Sequence, residues 1–505
     1  MKYLSLWEFG RKQDYIFKSN KLIEAVGASL IIKKLTEDFK DYSLDDKKFI
    51  LKKGGKALYL FDTIDEAKEF NKKFSINLIK EYPGLDVFMV IHEFDEENDD
   101  IRNKIEEIYM LLEKKKAEKK HSAGQISFGI ERICRSTGLP ASGSYTEKNI
   151  KTYYSSESMK KREIGGADAE NAFESLLPEG YKYDKIADNL VEDERKTYIS
   201  VVHIDGNGMG LKFKTLKNRI KRNNGESQSQ FNKRYVDLLK KFSETVNEAY
   251  EEAFKYTMNV IEKNKDKLKD VTKIMDKYFP VRPLILAGDD ITYMANGYIG
   301  IESAKVFIEN LSKKTINIEG IDLGNLSACA GVAIVKKGYP FIKAYELAED
   351  LCKNAKKRLI EKNNKELTAI DFHIAQGEIN GDISYIRRKD YSLNSKEGIL
   401  TMRPLIIGDH KEWRNYDNFI EAFDRIQRAL KQKAIGRSKI KALREQLRKG
   451  KEATEHFIKF YSIEAGKYFP PVAGKGDYCF NTAEDDRCMY LDAIEVMDMF
   501  IKLDE

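Results

Sequence analysis

The sequence predicts an α+β protein: two divergent copies of a ferredoxin-like β-α-β-β-α-β unit, followed by a helical C-terminal region. Three observations predict it. Two stretches, "YLSLWEFGRKQDYIF" and "YISVVHIDGNGMG", each run an apolar strand into a glycine turn. Each is followed by helix, hairpin, helix and strand patterns in the same order. Beyond about residue 396 the chain turns to long helix-forming runs.

In the first copy, "KLIEAVGASLIIKKLTEDF" supplies a short first helix. "FILKKGGKALYLF" sets two apolar runs around Gly54-Gly55, a hairpin signal. In "TIDEAKEFNKKFSINLIKEY", Ala67, Phe70, Phe74 and Ile76 recur at helical spacing. "LDVFMVIHEF" reads as a strand and "DIRNKIEEIYMLLEKKKAEKK" as a helix. In the second copy the first helix is long, with Tyr235, Leu238, Leu239, Phe242, Val246 and Ala249 on one face. "RPLILAGDDITYMANG" is a hairpin, "IESAKVFIENLSKK" a helix, "NLSACAGVAIV" a strand and "YPFIKAYELAEDLCKNAKKRL" a helix. The expected division is 1–150 for the first unit, 151–195 for a polar connector, 196–395 for the second unit and 396–505 for the helical domain.

Size and composition set the class. The chain has 505 residues, 42% hydrophobic and 34% charged, enough for about three domains. Lys+Arg 88 against Asp+Glu 82 leaves a net charge of only +6, which permits a nucleotide or nucleic-acid partner without arguing for one. The five cysteines have no C-x-x-C spacing, which excludes a zinc ribbon and fits reduced thiols in a cytoplasm. "MKYLSLWEFGRKQDY" is too short in apolar residues for a signal peptide or a membrane span. A cytoplasmic protein with no membrane partner is expected. The basic run from Arg437 to Lys451 has few aromatics among its cations and reads as a solvated helical face rather than a nucleic-acid site.

The chemistry sits in the second copy. Its first strand ends on Asp205, and its hairpin carries Gly288-Asp289-Asp290. In a β-α-β-β-α-β sheet the first strand and the following hairpin are central neighbours, so these acids can meet. Packed carboxylates repel unless protonated or bridged by cations, and hard oxygen ligands suit two Mg²⁺ or Mn²⁺ ions. The expected metal group is Asp205, Ile204, Asp289 and Asp290, with Asp205, Asp289 and Asp290 catalytic. At the corresponding places the first copy reads Phe9-Gly10 and Gly55-Lys56-Ala57, without acids. Gly206, Asn207, Gly208 and Gly288 are expected to bind nucleotide, Gly206, Gly208 and Gly210 leaving room for a triphosphate. Lys353 and Lys356 are placed to reach its phosphates, although a helical lysine is usually solvated. His203 reads as a core or supporting histidine, Ser327 and Gly331 as packing residues. Tyr15, Phe17 and Asn20 shape the first copy or its contact with the second.

"VVHIDGNGMG", "LILAGDDITYMANG" and "LSACAGVAIVKKGYPFIKAYELAEDLCKNAK" resemble the second palm domain of the large, polymerase-like subunit of type III CRISPR effector complexes. "GRKQDYIFKSNKLIEAVGASLII" resembles that subunit's inactive palm. The resemblance spans roughly 1–150 and 196–400. It implies two palm domains, the first degenerate and the second active, and a thumb-like C-terminal domain. It implies synthesis of cyclic oligoadenylates from ATP in antiviral defence, with Asp205, Asp289 and Asp290 holding the metals and Gly288 the turn. Three departures point to a standalone or minimal relative. Ala287 replaces the first glycine of a GGDD motif, no His-Asp dipeptide occurs, and there is no four-cysteine site. Expected partners are ATP or another NTP, an RNA or CRISPR-like complex, and a second copy of the chain. Two other readings stay open: a catalytically silent scaffold or RNA-binding subunit, and a diguanylate-cyclase-like enzyme using GTP.

Overall fold

The computed structural model describes residues 1–118, 127–147, 149–168, 172–184, 187–191, 197–362, 364, 366–375, 377, 381–393, 398–471, 479–481 and 487–505. The expected boundaries at 195/196 and 395/396 lie outside the described residues, as do Lys119, Lys120 and His121 beyond the fourth helix.

The first half runs β1 (Lys2–Gly10), α1 (Lys12–Phe17), α2 (Leu22–Glu37), β2 (Phe49–Lys53), β3 (Lys56–Phe61), α3 (Ile64–Glu81), β4 (Asp86–Phe94) and α4 (Ile101–Glu118). Its antiparallel sheet has the order β2-β3-β1-β4. Trp7 on β1 is fully buried, its ring 4.9 Å from Phe70 and 5.5 Å from Phe39. Such ring contacts add to simple area burial. The Thr63 side chain caps α3 by accepting from the Glu66 amide. The buried stripe of α3 is Ala67, Phe70, Phe74 and Leu78. Ile76, expected on that stripe, is 43% exposed, because it lies between two members of the i, i+4 row.

Part of the stretch read as a connector is structured. After the hairpin β5 (Gly143–Glu147) and β6 (Ile150–Tyr154) comes α5 (Ser156–Asp168), packed on α2. The two backbones almost touch: a Cβ on Gly27 would lie 1.9 Å from the Lys161 carbonyl oxygen.

The second half runs β7 (Tyr198–Gly206), α6 (Met209–Arg219), α7 (Gln228–Lys263), α8 (Lys265–Leu268), β8 (Val281–Ala287), β9 (Asp290–Asn296), α9 (Gly300–Ser312), β10 (Thr315–Ile318), β11 (Ile321–Asn325), β12 (Ala328–Lys336), α10 (Phe341–Glu361), β13 (Thr368–Ile374), α11 (Ile383–Asp390) and β14 (Leu405–Ile407). The sheet order is β14-β13-β12-β7-β9-β8. Its last four strands repeat the order of the first sheet. β13, fully buried and parallel to β12, and β14 extend it. α12 (Tyr416–Lys431), α13 (Arg437–Leu447), α14 (Lys451–Phe460), α15 (Ala465–Tyr468) and α16 (Leu491–Val496), with the short pair β15 (Phe480–Asn481) and β16 (Arg487–Cys488), complete the chain. Among the described residues no helix is long and apolar enough to cross a membrane.

The halves meet closely. Phe17 stacks on Tyr345 at 4.1 Å, and Asn20 Oδ1 accepts the Phe341 amide at 2.8 Å, where α10 begins. A bulge in β8 between Pro283 and Ile285 leaves the Leu284 carbonyl to accept from the Ser29 hydroxyl of α2. Asn232 on α7 donates to the Glu96 and Asp99 carbonyls of the first half.

Because the α2–α5 contact has no room for a side chain, Gly27→Ala is expected to cost about 1–3 kcal/mol of stability. Gly466→Ala, which meets no atom within 4 Å, should change little. Paired thermal and urea melts check both.

Candidate functional site

The site is made by one register. β7 pairs with β9 so that Asp205 lies opposite Asp290, and the Gly206 amide donates to the Asp289 carbonyl at 3.1 Å. β8 and β9 are joined by the two-residue turn Gly288-Asp289, since Ala287 pairs with Asp290. Gly288 has φ +70°, and Asp289 is not among the positive-φ residues, the pattern of a tight hairpin with glycine first. That turn needs Gly288 and leaves Ala287 in regular strand. The hairpin of the first half stands close by: the Ala287 Cβ is 3.8 Å from where a Cβ on Gly54 would be.

Three carboxylates therefore share one end of the sheet. Burial raises the Asp289 carboxyl above its ordinary range, and the charge of Asp205 raises it further. Burial also raises Asp290, while His203 and Lys12 counter it. Asp290 Oδ1 is buried without a hydrogen-bond partner. His203 Nδ1 lies 3.7 Å from that oxygen and 3.1 Å from Thr292 Oγ1. Asp205 Oδ2 accepts from Lys356 Nζ at 2.6 Å, and the same ammonium donates to the Gly206 carbonyl at 2.9 Å.

The other expected residues fall in different places. Lys353 points to the surface, 63% exposed, paired with Glu349 at 2.9 Å. The Asn207 side chain donates to the Leu367 carbonyl at 3.0 Å, and its amide to Ser327 O at 2.8 Å, so it ties the strand end to its neighbours. Ile204 is fully buried between Ala330 and Ile291. Gly206 was expected to leave space for phosphate. Its missing side chain makes room instead for protein: a Cβ there would lie 2.5 Å from the Tyr250 hydroxyl and 2.8 Å from the Asp289 Cβ. Gly208 and Gly210, at the start of α6, do face open space.

Two residues at the site were not singled out from the sequence. The Tyr250 hydroxyl is buried without a partner, and burial with nearby Asp289 and Asp205 pushes it well above its usual range. Tyr250 sits four residues after Val246 on the buried face of α7, which was the available signal. Lys12, from the first half, had none. Its Nζ donates to the Gly54 carbonyl at 2.8 Å.

The register also corrects the comparison of the two copies. In the first half Glu8 lies opposite Lys56, and the Phe9 amide donates to the Gly55 carbonyl at 2.9 Å. The equivalents are thus Glu8 for Asp205, Gly54 for Gly288 and Lys56 for Asp290. The first copy keeps one acid, and lysines neutralise it: Lys56 at 3.4 Å and Lys116 at 2.8 Å.

Among the described residues no three His, Cys, Asp or Glu side chains are gathered as a formed metal cage. The donor chemistry still fits a hard cation. All three groups are oxygen donors, their charges repel, and one buried oxygen lacks a partner. In this arrangement Lys356 supplies the positive charge at Asp205.

No family model and no curated protein matches the chain. Solved structures do. A chain of the Csm1–Csm4 cassette in complex with pppApApA superposes with a TM-score of 0.54 at 11% identity, over 99% of this chain and 69% of that one. The cassette with cA4 gives 0.53 at 11% identity, and with AMPPNP 0.52 at 12%, over the same shares. The chain resembles Csm1 in fold.

The raised carboxyl of Asp289 sets a testable pH dependence. Its ordinary value is 3.8. Below that value the group is neutral in both states and contributes nothing. Between that value and the raised native value the unfolded chain ionises while the folded one stays protonated, so the penalty on folding grows across this window and is complete above it. Asp289→Asn should therefore raise the melting temperature at about pH 7 without divalent cations, and lose the advantage near about pH 3.5. An equal shift at both pH values would contradict this reading.

Proposed function

We propose that the chain is a metal-dependent nucleotidyltransferase that makes cyclic oligonucleotides from ATP in antiviral defence, with two palm domains of which the second is active. One observation carries the reading: Asp205 and Asp290 are placed opposite each other with Asp289 at the turn, where the inert copy pairs Glu8 with Lys56. Like charges held at adjacent places need a cation, and only the second copy lacks one in its strand pair. Asp205, Asp289 and Asp290 would hold two Mg²⁺ or Mn²⁺ ions. Such ions activate an attacking hydroxyl and stabilise a departing pyrophosphate. The open ground at Gly208 and Gly210, at the N-cap and in the first turn of α6, suits the triphosphate. Lys356 stands ready to pass its charge from Asp205 to a phosphate oxygen.

In the reaction the 2′- or 3′-oxygen of one nucleotide bonds to the α-phosphorus of another. The bond from that phosphorus to the bridging oxygen breaks, pyrophosphate leaves, and the hydroxyl proton goes to water. The protein's task is positioning and charge neutralisation. The second nucleotide would enter a cleft of ≈ 940 Å³ between the halves, whose lining holds four lysines and five carboxylates as well as Asn247; Asn247 Oδ1 is 3.6 Å from where a Cβ on Gly288 would be. ATP over GTP is supported by the adenine ligands of the solved cassettes, which likewise support a Csm4-like partner.

Incubation with each NTP and Mg²⁺ or Mn²⁺, read by mass spectrometry, tests the reading. A cyclic adenylate is expected, lost by at least about a hundredfold in Asp289→Ala/Asp290→Ala. A product unchanged in that variant would overturn the assignment. A protein that carries RNA and turns over no NTP, with or without an RNA trigger, would be a scaffold.

The first half should contribute to synthesis. Lys12→Ala, beside the Gly54-Gly55 turn, is expected to reduce product formation at least about tenfold while leaving the melting temperature near wild type. Full activity in that variant would remove the first half from the site.

A further inference from the structure

α10 carries a second polar site on its other side. Asn354, Lys357, Arg358 and Glu361 follow the i, i+3, i+4, i+7 stripe of one helix face. At 3.6 residues per turn, Lys356 of the carboxylate site points nearly the opposite way. With α11 and the segment around Arg403, this stripe lines a pocket of ≈ 260 Å³. Seven of its fifteen described lining residues are Lys or Arg, against one carboxylate, Glu361.

Acids behind the pocket fix part of this charge. Asp371 accepts from Arg387 at 2.8 Å, Glu412 from Arg358 at 3.0 Å and Glu495 from Arg403 at 2.5 Å, and Arg403 also pairs with Asp492 at 2.9 Å. Arg414 donates to the Met402 carbonyl at 2.7 Å and Arg487 to the Thr401 carbonyl at 2.9 Å. Lys357 and Arg388 have no ion pair or hydrogen bond among the described residues. Arg387 Nε and Nη1 and Arg358 Nε are shielded from solvent without an acceptor. Buried guanidinium donors without partners are costly. Burial, then the nearby Arg387 and Arg403, push the His373 imidazole well below its ordinary range.

We propose that this pocket is a second anion site, which takes the di- or triphosphate group of a small molecule. Guanidinium forks match phosphate oxygens. The volume lies just under the about 300–1,000 Å³ of sites that hold a whole organic ligand, so it suits a phosphate group better than a length of RNA. The four fixed arginine contacts pre-set the cavity, and Lys357 and Arg388 close on the ligand.

Calorimetric titration of the full chain with sodium tripolyphosphate in EDTA tests this. Saturable binding is expected in the wild type, and equally in Asp289→Ala/Asp290→Ala, which alters only the carboxylate site. Lys357→Ala/Arg388→Ala removes no structural partner and should weaken binding by roughly tenfold or more. ATP should bind like tripolyphosphate, and a short RNA with a 5′-hydroxyl should not. No binding by wild type, loss of binding in Asp289→Ala/Asp290→Ala, or full affinity in Lys357→Ala/Arg388→Ala would each overturn the proposal. RNA binding that depends on Lys357 and Arg388 would assign the pocket to a phosphodiester backbone instead, and would also overturn it.

Discussion

Everything at the carboxylate site depends on the antiparallel register of β7 and β9. It puts Asp205 across from Asp290, and the Gly206 amide on the Asp289 carbonyl locks the strand end to the hairpin tip. A one-residue slip would turn Asp290 to the other face of the sheet. The register is held by the buried alternation of both strands and by a turn that only glycine fits at position 288. The fold thus supplies the like-charge contact as a by-product of its backbone, and the sequence decides whether the contact is charged.

That decision separates the halves. The same strand-to-turn hydrogen bond exists in both, from Phe9 in one and Gly206 in the other. In the first half the cross-strand partner of the acid is Lys56, and Lys116 adds a second ammonium, so the site is complete within the chain. In the second half the partner is another carboxylate. Of the three carboxylates Lys356 hydrogen-bonds Asp205 only, and Asp290 keeps an unpaired buried oxygen. One substitution in strand register, aspartate in place of lysine, converts a self-neutralised pair into a pair of like charges.

Much of this was legible in the sequence. Strand order follows from the β-α-β-β-α-β pattern, and the acids could be brought together on that basis alone. An alignment of the copies on their glycines sets Gly10 against Gly206 and is out by one residue, because the strand-to-turn hydrogen bond makes Phe9 the equivalent of Gly206. Gly206 is glycine because Tyr250 and Asp289 crowd it, a reason that only packing reveals. α5 was hidden by its polar composition, because its docking to α2 uses bare backbone at Gly27 rather than an apolar stripe. β13 is a uniformly buried run, whose pattern does not distinguish strand from helix. Lys12 could not be found from the sequence, since its nearness to Asp290 arises where the two halves meet.

α10 then takes on a larger part than any other helix. Its N-terminus is held by the first half through Asn20 and Phe17, one face sends Lys356 to Asp205, and the opposite face lines the arginine pocket. Gly331 admits it against β12, where a Cβ would lie 2.0 Å from the Ala348 carbonyl oxygen. A helix seated on backbone so closely moves as a rigid piece or not at all. The contact between the halves, the ammonium on Asp205 and the arginine pocket are thus all positioned by one helix, and the depth of its seat on β12 sets all three.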